Sequence, residues 1–205
     1  MALSLATVGG KITAAFINAV IARVNRQGST LMIPTSVSGS GVSVSSTGVV
    51  TLNAATTATI NGIFTSEFEN YMVKVRGQLT GAGFATLALA LSGTTVSTAN
   101  YDQNYQSTTG TATSAPAQPL AATSWNVGAG AQVVKSFTIE LFSPALTIPT
   151  EGTIFGVESA AAGASLATFT SGIFHRLSTA YDGITFGPGG TFSGRIWVYG
   201  YNNGV

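Results

Sequence analysis

The sequence predicts a mainly β protein: an antiparallel β-sandwich of jelly-roll-like form, preceded by a short N-terminal α-helix and a Gly/Ser-rich linker. Three observations carry that expectation. Residues 64–76, FTSEFENYMVKVR, pass from a turn into an alternation that sets Tyr71, Val73 and Val75 on one side and Met72, Lys74 and Arg76 on the other. This is the pattern of a half-buried antiparallel strand. Beyond Arg76, runs of β-formers recur between glycine and proline turns, giving roughly eight to ten strands. A helical period occurs convincingly only in residues 12–27.

Taken in order, residues 12–27 can be capped by Thr13 and ended by Gly28, with Arg23 and Arg26 near the negative end of the helix dipole. Phe16, Ile17, Val20, Ile21 and Val24 form its apolar stripe. A helix of about 15 residues is marginal alone in water, so it either self-associates, docks on another protein or packs on its own domain. Residues 1–30 are therefore read as an attachment or oligomerisation segment. Residues 31–62 are expected as a linker with short strands, punctuated by Gly39, Gly41 and Gly48, with a turn or bulge at Asn61-Gly62. The sandwich is expected over 63–205. Gly81-Ala82-Gly83 reads as a hairpin connection, and 84–91 as a central strand buried on both faces. Residues 93–119 read as one long polar loop, and 122–127 as a stretch that pairs at its end. Strands follow at 133–142, 154–159, 165–177, 183–186 and 194–201. In the last of these, Ile196, Val198 and Gly200 oppose Arg195, Trp197, Tyr199 and Tyr201, so one row is core and the other an outer or inter-subunit surface.

Composition narrows the function. Charged residues make up 7% of the 205 and the net charge is +1, which is not the electrostatic footprint of a nucleic-acid binder. Low charge with positive mean hydropathy suits a protein that buries surface in an assembly. The chain has no cysteine, hence no disulfide framework and no thiolate metal site. No apolar run approaches the roughly 20 residues of a membrane span, and the first residues lack the pattern of a cleaved secretion signal. Membrane insertion is not expected.

Catalytic chemistry has little to draw on. His175 is the one histidine. A partnership with Asp182 is the nearest approach to a triad, without the Gly-x-Ser-x-Gly turn that would support it. One histidine and no cysteine are a poor supply of zinc ligands. A glycosidase would need two carboxylates at a set separation, and sequence alone brings no two together. No phosphate-cradling glycine motif occurs. The expectation is no enzyme, no cofactor and no metal. Aromatic rings beside amides and a carboxylate, in contrast, suit a sugar. Tyr101, Asp102, Asn104, Tyr105 and Trp125 are therefore the candidate receptor contacts, the alternative for Tyr101 and Tyr105 being anchorage of the loop to the sheet.

Three stretches also resemble a known group. IPTSVSGSGVSVSSTGVVT, residues 33–51, and FTSEFENYMVKV, residues 64–75, are similar to the linker and opening motif of certain bacteriophage tail proteins, and SGRIWVYGY, residues 193–201, to their close. Residues 97–132 depart from that pattern. The resemblance implies a minor tail protein, tail fibre or tail-tip adhesin. It would be a homotrimer made in the host cytoplasm, fixed to other tail proteins by its N-terminal segment and turned toward host surface glycan or cell wall. Two other roles stay open: a structural virion protein such as a head decoration or tail-tip spacer, and a small polysaccharide depolymerase.

Overall fold

The computed structural model describes residues 28–81, 83–109, 112–114, 120–128, 134–159 and 166–202. The helix expected over 12–27, with Phe16, Ile17, Val20, Ile21 and Val24, lies outside them. All regular structure among the described residues is β. In chain order the strands are β1 (Thr30–Leu31), β2 (Ser36–Ser38), β3 (Val42–Val44), β4 (Val50–Ala55), β5 (Ala58–Asn61), β6 (Asn70–Thr80), β7 (Thr86–Leu91) and β8 (Thr94–Thr95). They continue with β9 (Tyr101–Thr109), β10 (Ala112–Ser114), β11 (Trp125–Asn126), β12 (Val134–Phe142), β13 (Thr150–Ser159), β14 (Leu166–His175), β15 (Gly183–Gly187) and β16 (Thr191–Tyr201).

Two antiparallel sheets face each other across one core, the arrangement of a β-sandwich. The larger runs β10-β9-β14-β13-β12-β6-β16-β4-β3, with β1 also on β16. The smaller runs β11-β7-β15-β5-β2, with β8 also on β7. Alternation along the long strands decides what each face holds. Tyr71, Val73 and Val75 of β6, Phe137, Ile139 and Leu141 of β12, and Ile196 and Val198 of β16 point inward and are buried. Ala58, Ile60, Leu87, Leu89, Ile184 and Phe186 of the smaller sheet are buried in the same core, where Phe186 meets Phe192 edge to face. Burial on this scale, at about 25 cal/mol per Å² of apolar surface, is the main force holding the sheets together.

The FTSEFENY stretch owes its form to one side chain. The Tyr71 hydroxyl donates to the Thr65 carbonyl and accepts from the Thr65 amide, both at 2.7 Å. Phe64 and Phe68 pack on its ring at 4.7 and 6.4 Å. Asn202, just past β16, accepts from the Glu69 amide and donates to the Glu67 carbonyl. The motif is a clasp that starts one central strand and fastens the end of its neighbour. Inward-facing polar groups occur as well. Lys135 and Glu158 stand directly across β12 and β13, fully buried and 3.4 Å apart; burial pushes the Lys135 ammonium below its usual range and Glu158 opposes that shift.

Three expectations change. Residues 31–62 do contain short strands, but these are woven into both sheets: β4 pairs with β16, and β5 lies between β15 and β2. Gly62, at φ +67°, makes the expected turn, where a Cβ would strike Thr35. The 81–83 connection is not a hairpin, because β6 belongs to the larger sheet and β7 to the smaller, so the chain crosses between layers there. The long polar loop is largely strand: β9 pairs with β14 over its full length and with β10 beyond.

Candidate functional site

Strand β9 carries four of the residues singled out from sequence, and its alternation separates them. Tyr101 faces inward and is fully buried, as is Trp125 of β11. Neither is available to a ligand, which corrects their assignment as receptor contacts. Both are structural because each satisfies backbone groups. The Tyr101 hydroxyl donates to the Val96 carbonyl at 2.6 Å and accepts from the Leu89 amide at 3.0 Å. Trp125 Nε1 donates to the carbonyls of Asp102 and Phe174 at 3.1 and 3.2 Å. The indole thus bridges the two strands that present the outer face. Tyr105, also on the inward side and half-buried, stacks on Phe169 at 5.3 Å.

His175 belongs to this inner cluster. Its ring lies 4.4 Å from that of Tyr101, and its Nδ1 is 3.2 Å from the Tyr181 hydroxyl. Burial lowers its pKa, opposed by a backbone interaction at Leu177. Asp182 is engaged elsewhere, its carboxylate accepting from the Ser92 amide at 3.0 and 3.1 Å. The pair that sequence suggested is therefore bonded to other groups, and His175 serves the core.

On the opposite side of the same strands the register assembles a different surface. Phe142, Glu151, Phe174 and Asp102 form one continuous cross-strand row over β12, β13, β14 and β9. The next row is Glu140, Thr153, Gly172 and Asn104. Apart from Glu140, these two rows are the floor of a groove of about 480 Å³, with Leu120 at one end, a volume in the range of small-ligand sites. Gly172 leaves open space in this floor: a Cβ added there would meet nothing within 4 Å. A second trough shares Asn104, Thr153 and Gly172 and continues toward Phe155 and Gln106.

Asp102 is fixed at the groove margin. Its carboxylate accepts from Arg176 Nε at 2.6 Å and from the second guanidinium nitrogen at 2.8 Å, and also from the Ala121 amide. This bidentate pairing holds the Asp102 carboxyl below its usual range. The groove therefore offers two phenylalanine faces, two amide or hydroxyl side chains (Asn104 and Thr153) and two carboxylates, Glu151 and Asp102, the latter neutralised by Arg176.

Two of the five sequence-chosen contacts, Asp102 and Asn104, stand in this groove. Sequence reasoning missed Phe142, Glu151, Gly172 and Phe174, which come from three strands and share no motif. The signal that would have found Asp102 and Asn104 as a pair, apart from Tyr101 and Tyr105, is the two-residue alternation of 101–105. No family model matches the chain, and neither a curated protein nor a solved structure shows a significant likeness to it.

Proposed function

We propose that the protein is a non-enzymatic attachment module of a bacteriophage tail, a tail fibre or tail-tip adhesin that holds host surface glycan or cell wall without cleaving it. The observation that carries this reading is the Gly172 groove. Phe142 and Phe174 supply flat apolar faces for the C–H side of a sugar ring, and Glu151, Asn104 and Thr153 supply hydroxyl partners. Cleavage by inversion or retention would need a carboxylic acid kept protonated beside the bond. Arg176 pushes Asp102 the other way, toward the anion.

In this proposal a jelly-roll-like sandwich is carried on an N-terminal helix, residues 1–30 engage other tail proteins, and three copies associate. Three shallow grooves acting together give avidity that no single one has. Host-cell binding by the full chain, labelled and counted by flow cytometry, tests the reading. Gly172→Leu should leave the protein folded and abolish retention on cells; equal retention of the variant would move the ligand away from the groove. Solution mass by light scattering tests the trimer, and a monomer at all concentrations would end that part of the proposal. One observation favours a second reading, a structural virion protein such as a decoration or spacer. Phe155 and Val157, two residues apart on the outer face, are 53% and 36% exposed, an apolar pair that a neighbouring subunit would cover. Virions that bind host cells equally well in the presence of excess free protein would support it.

A further inference from the structure

The register of β6 and β16 sets Arg76 directly opposite Arg195, and Lys74 directly opposite Trp197, all on the outer face of the larger sheet. Like charges directly across a strand pair destabilise a sheet. The chain has only eight Lys and Arg in total, yet three of them share this one patch. None of the three is in an ion pair: among the described residues the ion pairs are Lys135 with Glu158 and Arg176 with Asp102. Lys74 instead holds its ammonium 5.8 Å from the centre of the Tyr199 ring. Strand β12 adds hydroxyls, Ser136 opposite Arg76 and Thr138 opposite Lys74. Lys74, Arg76, Ser136, Thr138, Trp197 and Tyr199 line an open trough of about 370 Å³.

Two arginines at directly opposite register positions on one face can bring two guanidiniums to an oxyanion, each able to donate two parallel hydrogen bonds. Flanking hydroxyls add donors, and the half-buried Trp197 gives an apolar plane next to the charge. A trough open to solvent suits a strand of polymer better than an enclosed small molecule. We propose that this trough is a second binding site, for an anionic glycan polymer whose repeating units carry phosphate or carboxylate groups. Arg76 within the trough and Arg195, opposite it on β16 and outside the residues that line the trough, take the oxyanion together, Lys74 adds long-range attraction, and Trp197 packs on the sugar. The site differs in charge from the Gly172 groove, and it stands whether or not that groove binds sugar.

Its test uses the full chain and its own fluorescence. The chain has two tryptophans, and Trp125 is fully buried, so an emission change on adding ligand reports Trp197. Sodium polyphosphate and polygalacturonate are the phosphate and carboxylate probes, with dextran as the neutral control and a single-stranded DNA oligonucleotide as the nucleic-acid control. The expected result is saturable quenching by at least one of the two acidic probes, weakened by salt and absent with dextran; the probe preferred tells phosphate from carboxylate. Arg76→Gln should weaken binding about tenfold, the loss of one charge-assisted contact. Arg195→Glu should abolish binding while leaving the melting temperature equal or higher, because it turns a like-charge pair into an opposite-charge one. That combination separates a lost site from a lost fold. Any of four results would overturn the proposal: no quenching by either acidic probe at millimolar repeat units; unchanged binding by Arg195→Glu; quenching by DNA alone; or no probe binding together with self-association that Arg195→Glu abolishes, which would make the patch a contact between copies.

Discussion

The two faces of β9 and β14 are built from interleaved residues of the same chain, yet they respond to different demands. The inner face, with Tyr101, Gln103, Phe169, Ser171 and His175, is buried and closely hydrogen-bonded: the Gln103 side chain alone bonds the Asn126 carbonyl and amide and Ser171 Oγ. The outer face, with Asp102, Asn104, Gly172 and Phe174, lines a groove. A side chain one position away in sequence is thus on the other side of the division between stability and recognition. Changes to the inner face should lower stability while leaving groove chemistry intact in whatever remains folded. Changes to the outer face should do the reverse.

The largest effect that could break this contrast is at Trp125. Trp125→Ala removes a fully buried ring and the indole N–H that bridges the carbonyls of Asp102 and Phe174, for an expected loss of about 3–5 kcal/mol in urea denaturation. A loss below 1 kcal/mol would show that the inner face does not hold the groove strands. Next comes Tyr101→Phe, which keeps the ring and leaves the Leu89 amide and Val96 carbonyl without their partner. It should cost about 1–3 kcal/mol with no change in ligand retention.

A third effect is set by pH. Burial lowers the His175 pKa in the folded protein, so below its ordinary value, near 6.5, the unfolded chain binds more protons than the folded one. Stability should therefore fall as pH drops from about 6.5 to the lowered value, by at most about 1.4 kcal/mol per pH unit. Urea midpoints measured across that window should lose this slope in His175→Gln; an unchanged slope would assign it to other groups. The smallest change in stability, within about 0.5 kcal/mol, is expected for Gly172→Leu, since a Cβ there meets open space and the strand gains a side chain of better β-propensity. Its effect on ligand should be the greatest of the four. A destabilised Gly172→Leu would sharpen the comparison differently, by showing that the outer face is also under a packing constraint.

Residue types alone revealed much of this fold where one face is apolar. The alternation of 70–76 and of 194–201 predicts β6 and β16, and the row of Ile196, Val198 and Gly200 proves to be the buried one. Strand β9 escaped because Gln103, Asn104, Gln106, Ser107, Thr108 and Thr109 carry no apolar period, although Thr is a good strand former. Its pairing with β14 supplies what its composition does not. The groove escaped for a different reason. Phe142, Glu151, Gly172 and Phe174 become neighbours only through the registers of β12 with β13 and of β13 with β14, and a single sequence contains no register until its strands are paired. The 81–83 connection is not legible from sequence because glycines mark a change of direction without saying which layer the next strand joins.

The place of β16 has a consequence for the protein's birth. It is the last described strand in the chain, yet it lies in the interior of the larger sheet, between β6 and β4 and paired also with β1. While a ribosome is still making the middle of the chain, β6 has an unfilled edge and β4 has no way to join it. Contacts of such long sequence separation form slowly, and an unfinished sheet with open edges is prone to pair with the wrong partner. Nascent chains of this protein should thus stay unfolded, and in need of chaperone cover, until residues 191–201 emerge, whereupon one strand stitches together segments made early and late in synthesis.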